Sequence, residues 1–498
     1  MTKLSRAALD EAGRERWERL NDSPVTILQI GEGQFLRGFF DWMIHRCRAE
    51  GLYDGAIAVS QPRPSGKRKL DALARQDGLY TLVIRGLENG ETVERKEVVN
   101  VFRELVDPYS EWKRFVALAE NPDLRVIVSN TTEAGLKFRS EALAEGKPLE
   151  SFPGKIAYLL YRRYAAFQGS TEKGLLLLPC ELLERNGDEL LACVLRHAEE
   201  WRLPGEFSEW VRTSNRFLNS LVDRIVTGYP GDEQAQSWSG EWGYEDSEMN
   251  TAEPYHLWAI EAEPELDNVL PLRQAGLNVH WTRDLRPYQQ RKVRILNGAH
   301  TLMTPLGILS GLTHVRELME HSELGSFVVR TVENEIVPSL PYPREEMDDY
   351  AAAVFERFRN PFIRHRLSDI AMNSISKFKT RLLPTLAHYG KQHKPIPDGL
   401  ARAFAALLRY YNVRATGNGF IGKTFAGAEY AVRDDESLIG LFEEIWTDAE
   451  RLKQPPIRIA ERFLRLEAAW GIDLAKVDGL AAGIAAQWTK MGGAATYE

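Results

Sequence analysis

Three polar side chains near the middle of the chain have types and a spacing that suit the oxidation of an alcohol. They are Lys292, Asn297 and His300, in the segment RKVRILNGAH. On an α-helix that advances about 100° per residue, Asn297 lies about 140° and His300 about 80° round from Lys292. All three can therefore face one side, and the spacing predicts a site made of an amine, an amide and an imidazole.

The chemistry of such a site is proton transfer coupled to hydride transfer. The Lys292 amine can take the hydroxyl proton while a hydride leaves the carbon, and can return it in the reverse direction. Its pKa, ordinarily about 10.4, must then fall toward about 7–8, through burial or a cation such as Arg291, Arg294 or His300. The Asn297 side chain can donate to the developing oxyanion. From spacing alone, the alternative is a charged helix face exposed to solvent.

A glycine-rich turn near the N-terminus suits the binding of a dinucleotide. The run QIGEGQFLRG joins an apolar, β-type segment to a helical pattern. Such a turn lets the backbone approach a pyrophosphate, and the helix N-terminus supplies oriented N–H groups. Leu36 replaces the third glycine of the usual GxGxxG pattern, so a plain tight turn is the alternative. The predicted cofactor contacts in this turn are Gly31, Gly33, Phe35 and Arg37.

The end of the second predicted strand, GAIAVS (55–60), bears on the type of nucleotide. An acidic residue there would hold the adenosine ribose hydroxyls, but the sequence has Gln61. Gln61 can hydrogen-bond a ribose hydroxyl, whereas Arg63, Lys67 or Arg68 can pair with a 2′-phosphate. The residues alone leave both NAD and NADP open.

A polar segment follows another apolar run, DLRVIV, at the carboxyl edge where open sheets bind their ligands. Its first residues, Ser129, Asn130 and Thr131, are predicted to contact the cofactor. Simple capping of a helix is the alternative. In the second half, Lys377, Lys379 and Arg381 form a basic cluster that suits either a substrate carboxylate or a solvated face.

The elements that must position these residues differ between the two halves of the chain. Up to residue 285, short apolar runs alternate with helical patterns, which predicts a mainly parallel sheet with helices on both faces. A hairpin is predicted around Asn89 and Gly90. Beyond that point the spacing is helical throughout. We therefore predict an α/β domain over residues 1–285 and an all-helical domain over residues 286–498.

The segment GNGFIGKT (417–424) matches the P-loop pattern GxxxxGK[ST] letter for letter. A working P-loop must follow a buried strand and open a helix. Here the preceding run LARAFAALLRYYNVRA has helical spacing, and the following run is a poor start to a helix. We interpret the segment as a flexible loop between two helices of the second domain.

Composition excludes several classes of protein. The 498 residues are 44% apolar and 27% charged, and a net charge of −8 argues against a nucleic-acid binder. No run approaches the roughly 18 apolar residues of a spanning helix, and the charged N-terminus has no apolar signal core. We expect a cytoplasmic protein with neither a nucleic-acid nor a membrane partner.

Cysteine and histidine usage argues against a metal site. Cys47, Cys180 and Cys193 are too scattered for a disulfide framework or a structural zinc site. The ten histidines contain no HExxH and no paired ligand spacing. We expect no catalytic metal.

Taken together, the motifs resemble the mannitol dehydrogenase family of polyol-specific long-chain dehydrogenases. The resemblance covers nearly the whole chain and includes QIGEGQFLRGFFDWMI, VIVSNTTEAGL, LLPCELLERNGDEL, LVDRIVTGYP and RKVRILNGAHT. The phrases SNTTEAG and RKVRILNGAHT are similar to the tagaturonate reductase branch more than to the mannitol branch. The resemblance implies a Rossmann-like N-terminal domain, a helical C-terminal domain and an active site between them.

The resemblance also implies roles for individual residues. Lys292 falls on the acid/base of the family, and Asn297 and His300 fall on the amide and imidazole of the same motif. Asn219 matches a second oxyanion-holding asparagine, and Lys377 matches a substrate-contacting lysine. The implied cofactor is NAD, and the implied partner is a small-molecule sugar acid.

The sequence departs from the mannitol enzymes at several of their functional positions. Gln289 replaces an acidic residue three positions before the lysine, so a proton route through that position is not carried over. Asp369 and Met372 replace an arginine and a histidine, which indicates a different substrate. Gln61, in place of an acidic residue, weakens the preference for NAD, and NADP stays open.

The expected activity is the reversible, NAD(H)-dependent interconversion of tagaturonate and altronate in hexuronate catabolism. Within the family, fructuronate reductase and a mannitol-type polyol dehydrogenase are the alternatives. From another class, the alternative is a catalytically silent dinucleotide-binding sensor. The intact set Lys292, Asn297 and His300 argues against the sensor.

Overall fold

The structure, a computed structural model, describes residues 1–143, 146–417 and 419–491. It divides into two compact units, Met1–Leu285 and Arg286–Glu498. Within the described ranges, no helix combines the length and apolar character that a membrane-spanning segment needs.

Among its described residues, the first unit contains fifteen strands and nine α-helices. The strands are β1 (Thr2–Lys3), β2 (Val25–Ile30), β3 (Ala56–Ser60), β4 (Tyr80–Glu88), β5 (Glu91–Val99), β6 (Phe102–Val106), β7 (Val126–Ser129), β8 (Leu176–Pro179), β9 (Arg216–Phe217), β10 (Ser220–Asp223), β11 (Val226–Gly228), β12 (Tyr244–Glu245), β13 (Asn250–Ala252), β14 (Leu257–Glu261) and β15 (Val279–Thr282). The helices are α1 (Glu11–Asp22), α2 (Gln34–Arg37), α3 (Phe40–Ala49), α4 (Lys67–Arg75), α5 (Trp112–Ala119), α6 (Phe152–Ala166), α7 (Asn186–Glu200), α8 (Gly205–Ser214) and α9 (Asp232–Trp242).

The central sheet of this unit has six parallel strands in the order β6-β3-β2-β7-β8-β9. Numbered along the chain within the sheet, this is the order 3-2-1-4-5-6 of a doubly wound dinucleotide-binding fold. The predicted Rossmann-like domain with a mainly parallel sheet is therefore confirmed. The strand order reverses between β2 and β7, and ligands of such sheets bind at the carboxyl ends of the strands there.

Both faces of the central sheet are buried, which explains the continuous apolar runs of its strands. All six residues of β2 are buried, and from Ile27 onward successive side chains point to opposite faces of the sheet. Ile27 packs in the core that contains Phe40 of α3. Leu28 packs in the other core, with Phe115 of α5 and Ile156 of α6. The carboxyl ends of the strands of the central sheet are thus supported by packing on both faces.

Further strands extend this unit. Strands β11, β13, β4 and β5 form a mixed sheet, and β10, β14 and β15 form a three-stranded one. Strands β4 and β5 are antiparallel and joined by Asn89 and Gly90, with φ values of 55° and 79°. A two-residue turn with both φ values positive matches the right-handed twist of its strands. The predicted hairpin is confirmed.

The second unit is mostly helical. Its α-helices are α10 (Arg286–Arg291), α11 (Asn297–Leu309), α12 (Val315–Glu320), α13 (Ser322–Thr331), α14 (Arg344–Phe358), α15 (Leu367–Ile370), α16 (Ser374–Arg381), α17 (Leu383–Lys391), α18 (Asp398–Tyr410), α19 (Glu436–Arg451), α20 (Pro456–Leu464), α21 (Glu467–Trp470) and α22 (Leu480–Lys490). The buried helix α18 packs against both α11 and α22. The predicted helical domain is confirmed in this respect.

The second unit is not entirely helical, because it also carries a three-stranded antiparallel sheet. The strands are β16 (Val413–Thr416), β17 (Gly419–Lys423) and β18 (Glu429–Val432). The P-loop-like segment therefore forms a strand, and its interpretation as a loop between helices is wrong; Asn418 lies outside the described residues. Gly422 leaves room for the Tyr430 ring, since a Cβ there would lie 2.5 Å from the ring Cζ. The motif glycine thus serves packing between strands.

Candidate functional site

The glycine turn of the first unit lies at the point where the strand order reverses. Gly31 has φ +135°, and a Cβ there would lie 2.9 Å from the carbonyl oxygen of Asn130. Only glycine fits this position without strain. At Gly33 a Cβ would meet no described heavy atom within 4 Å, so one side of the turn is open. An open glycine backbone at this edge fits the pyrophosphate of a dinucleotide.

Buried polar groups in the core hold the backbone of the glycine turn in place. The Gln29 side-chain N–H₂ donates to the carbonyl oxygen of Gly31 (2.9 Å) and to the carboxyl of Asp41 (3.3 Å). Burial raises the pKa of Asp41 to about 7, although the hydrogen bond from Gln29 acts in the opposite direction. These contacts fix the backbone at Gly31 from within the core.

Two of the residues predicted to contact the cofactor pack within this region. The Arg37 guanidinium is buried, forms an ion pair with Glu248 (3.3 Å) and lies over the ring of Tyr80 (5.1 Å). It is therefore engaged inside the unit, which argues against the predicted role at a phosphate. Phe35 is half-buried and stacks on Phe39, with ring centroids 5.0 Å apart. It remains a candidate for a contact with the cofactor.

The end of β3 differs from the sequence prediction. Gln61 is fully buried, and its N–H₂ donates to Asp107 at 2.7 Å, so its side chain turns inward rather than toward a ribose. Burial alone would raise the pKa of Asp107, but hydrogen bonds from Ser110 and Tyr109, with nearby Lys67, lower it overall. The ionised carboxylate of Asp107 is thus hydrogen-bonded to the buried side chain of Gln61. Sequence reasoning missed it because Asp107 follows β6, the neighbouring strand.

The polar segment after β7 is organised by a carboxylate that sequence reasoning also missed. Glu181 follows β8 and is buried, and its oxygens accept from the Ser129 hydroxyl (3.1 Å), the Thr131 hydroxyl (3.0 Å) and the Thr131 N–H (2.8 Å). The Asn130 side chain donates to the carbonyl of Cys180 (2.8 Å). Burial raises the pKa of Glu181, and these hydrogen bonds counteract the rise. The structure thus brings Ser129, Asn130 and Thr131 beside the glycine turn.

Asn219 uses all of its amide hydrogen-bonding capacity inside the first unit. Its Oδ1 accepts from the N–H groups of Gly187 (3.0 Å) and Asp188 (3.1 Å) at the start of α7. Its Nδ2 donates to the carboxylates of Glu261 (2.8 Å) and Asp188 (3.3 Å). Holding a substrate oxyanion would require the loss of one of these bonds. In the structure the Asn219 side chain caps the start of α7, and its role at a substrate oxyanion stays a prediction.

In the second unit, the segment that carries Lys292 is not a regular α-helix. Lys292–Leu296 forms a π-helical turn between α10 and α11, and the Asn297 N–H donates to the carbonyl of Lys292. This i→i+5 bond places Asn297 one turn beyond Lys292, on the same side, instead of about 140° away. His300 then lies about 60° from Asn297 along α11. The angles expected from α-helical spacing are wrong, and the correction brings the amine and the amide closer in direction.

The His300 ring is enclosed by other rings and by cations. Its centroid lies 4.5 Å from that of Phe358 and 4.8 Å from that of His365. Its Nε2 is shielded from solvent and has no hydrogen-bond partner among the residues that the structure describes. Burial, followed by His365 and then by the charges of Arg381, Arg357 and Lys377, holds the pKa of His300 well below its usual value of 6.5. This direction favours the neutral imidazole, and the unpartnered Nε2 is a candidate to hydrogen-bond a ligand.

Lys377 lies in α16 and is half-buried. Its ammonium donates to the carbonyl of Ile370 at 2.8 Å. Burial, followed by the charge of Arg381, lowers its pKa. Within the described residues, no group of three or more His, Cys, Asp and Glu side chains is arranged to hold a metal ion.

Two family models match consecutive parts of the chain. The model of the mannitol dehydrogenase Rossmann domain matches residues 25–274, and that of the mannitol dehydrogenase C-terminal domain matches residues 284–492. The chain belongs to the mannitol dehydrogenase family. The resemblance carried by the sequence motifs is thereby confirmed across both units.

Individual members of the mannitol dehydrogenase family are similar over almost the full length. The altronate oxidoreductase of Bacillus subtilis (strain 168) is 40% identical over 472 residues, which cover 95% of this chain and 94% of the relative. That of Yersinia enterocolitica is 40% identical over 462 residues, 92% of each chain. The tagaturonate reductase branch that the motifs indicated is therefore the one these relatives represent.

Two solved structures share the fold. Pseudomonas fluorescens mannitol 2-dehydrogenase, in a ternary complex with NAD and D-mannitol, matches with a TM-score of 0.63 and 22% identity, over 95% of this chain and 92% of that one. D-sorbitol dehydrogenase in substrate-free form matches with a TM-score of 0.72 and 21% identity, over 93% and 96%. At these identities the likeness shows the architecture alone.

Proposed function

We propose that this protein is a tagaturonate reductase, or altronate oxidoreductase, that interconverts D-tagaturonate and D-altronate with NAD(H). The observation that carries the proposal is the 40% identity to the Bacillus subtilis altronate oxidoreductase over 95% of this chain. The glycine turn of the first unit and the Lys292 segment of the second supply the two components that such a reaction needs. We assign the dinucleotide to residues 1–285 and the sugar acid to residues 286–498.

In this proposal the dinucleotide is held at the carboxyl edge of the central sheet. The open backbone at Gly33 supports a pyrophosphate at the turn, and the segment from Ser129 to Thr131 lies beside it. A nicotinamide held there would supply or accept the hydride of the reaction. The Asp107 carboxylate behind Gln61 pairs with Lys67 at 3.6 Å, so the local charge is balanced, and we assign NAD from the resemblance to the family.

The proton chemistry falls to the second unit. In reduction, the Lys292 ammonium gives a proton to the carbonyl oxygen as the carbon gains a hydride, which yields the hydroxyl. In oxidation, the amine removes that proton. The Asn297 side chain, one π-turn beyond, donates to the same oxygen and stabilises its developing charge. The neutral His300 ring offers Nε2 to a substrate hydroxyl, and Lys377 contacts the substrate.

The test is a comparison of substrates and cofactors with the purified wild-type protein. The oxidation of NADH and of NADPH is followed with tagaturonate, fructuronate and fructose as acceptors. We expect the highest kcat/KM with tagaturonate and NADH, by at least about 10-fold over each other combination. A preference for fructose contradicts the sugar-acid assignment, a preference for fructuronate moves it to fructuronate reductase, and a preference for NADPH contradicts the assigned cofactor.

A further inference from the structure

Two cations of α16 lie on one face of the helix, four residues apart. Lys377 and Arg381 both act electrostatically on His300, and each lowers the pKa of that ring. Like charges with this spacing repel one another and destabilise a helix. Burial adds to the cost, since it lowers the pKa of both side chains. The helix therefore keeps a costly pair of cations next to the proposed substrate site.

The guanidinium of Arg381 is fixed against the helix that carries the proposed oxyanion donor. Its Nη1 donates to the Thr301 hydroxyl at 3.1 Å and to the carbonyl oxygen of Asn297 at 3.4 Å. The Thr301 hydroxyl in turn donates to the same carbonyl at 3.0 Å. Arg381 is therefore held directly beside the first turn of α11, within one turn of His300.

The rest of the Arg381 fork is not used by the described part of the protein. Its Nε and Nη2 make no hydrogen bond and no ion pair with the residues described, and neither atom is among the solvent-shielded polar atoms that lack a partner there. The Lys377 ammonium has one hydrogen bond, to a carbonyl oxygen. Asp434, the carboxylate that acts on Lys377, accepts from the Ile375 N–H (3.1 Å) and from the Tyr411 hydroxyl. Two N–H donors in a planar fork are what a carboxylate binds.

The third basic residue of the helix provides the contrast. Lys379 is exposed, and its ammonium lies 2.9 Å from the position of a Cβ on Gly471, away from α11. The sequence left open whether this basic cluster binds a carboxylate or faces solvent. In the structure, Lys379 of this cluster lies on the solvent side of α16. Lys377 and Arg381 lie on the side toward His300.

We propose that Arg381, assisted by Lys377, forms the subsite for the carboxylate of the sugar acid. Arg381 thereby sets the preference for acids over neutral sugars of the same length. The inference rests on the proposed function and adds to it the side chain that binds the substrate carboxylate. Because the guanidinium also touches the Asn297 turn, it fixes the acid end relative to the reacting oxygen.

The experiment compares Arg381→Gln with Lys379→Gln, a matched removal of one positive charge from the other face of the same helix. The kcat/KM for tagaturonate and for fructose is measured for each variant and for wild type. We expect Arg381→Gln to lose about 10- to 100-fold with tagaturonate, mainly through KM. With fructose it should change less than about 3-fold, and Lys379→Gln should leave both values near wild type.

Several outcomes overturn the inference. If kcat/KM of Arg381→Gln falls equally with both substrates, Arg381 only stabilises the position of α11. If Lys379→Gln loses as much kcat/KM as Arg381→Gln, the effect is one of overall charge. If Arg381→Gln does not fold, Arg381→Lys decides. It keeps the charge without the fork, and full retention of acid preference contradicts a guanidinium subsite. Failure of the proposed function is distinguishable, because wild type itself would then fail to prefer tagaturonate.

Discussion

Two polar side chains that resemblance placed in the active site differ in how the protein uses them. In the first unit, the Asn219 amide has four hydrogen bonds, to the start of α7 and to the carboxylates of Asp188 and Glu261. In the second unit, His300 has a shielded Nε2 without a partner among the described residues. One residue fixes the backbone around it, and the other leaves a nitrogen for a ligand.

The difference teaches where the bonding capacity of each side chain goes, although it does not by itself mark a reacting group, since Arg37 Nε and Gln61 Oε1 are also buried without a partner among the described residues. A buried polar atom without a partner is costly, and native structures usually keep such atoms only for a reason. A saturated amide carries no such cost and contributes to stability. We therefore expect changes at Asn219 to be measured mainly as stability and changes at His300 mainly as turnover.

Replacement of His300 by Phe sharpens the comparison and has the larger expected effect. The variant keeps an aromatic ring against Phe358 and His365 but removes the nitrogens, so we expect Tm to stay constant or to rise. The kcat/KM for tagaturonate should fall about 100-fold. Since the pKa of His300 is held well below 6.5, the neutral ring is the active form. The wild-type pH profile should therefore show no ionisation of this ring near pH 6.5.

A fall in Tm with unchanged kcat/KM in His300→Phe would make the ring a structural element. An ionisation near pH 6.5 that disappears in the variant would contradict a neutral ring. Calorimetry and initial rates measured on the same preparation separate these outcomes.

Replacement of Asn219 by Ala tests the other side of the comparison and has a smaller expected effect on catalysis. It removes the cap of α7 and leaves the Glu261 and Asp188 carboxylates without this donor. We expect Tm to fall by roughly 2–4 °C and kcat/KM to change less than about 3-fold. A loss of about 100-fold at unchanged Tm would restore the oxyanion role that the resemblance implied.

The sheet of the first unit was predictable because its strands are buried on both faces and read as unbroken apolar runs. The roles of Arg37 and Gln61 were not, because each depends on a partner distant in sequence, Glu248 or Asp107. Glu181 likewise acts on residues about fifty positions earlier. Spacing along one element carries no signal for such pairs.

In the second unit, the residue types of the site were predictable but not their directions. The π-turn at Lys292–Leu296 adds a residue to one turn of the helix. Side chains after this turn therefore point in directions that regular α-helical spacing does not predict. The sheet from β16 to β18 was missed because its short strands include the glycines of the P-loop-like segment. Gly422 serves the packing of Tyr430 rather than a phosphate. The flanking pattern argued against a P-loop, but glycine is common in loops and strand pairs alike, so the letters alone did not distinguish a loop from a strand.

The central claim is that Lys292 moves the proton while the first unit holds the dinucleotide, and Lys292→Ala tests it most directly. Turnover of tagaturonate and the Kd for NADH, from fluorescence titration, are measured on the same variant. We predict that kcat falls about 10²- to 10⁴-fold while the Kd stays within about 2-fold of wild type. Gly33→Val, at a position with room for a side chain, is the reciprocal control and should weaken NADH binding. Turnover of Lys292→Ala near the wild-type value would contradict the account.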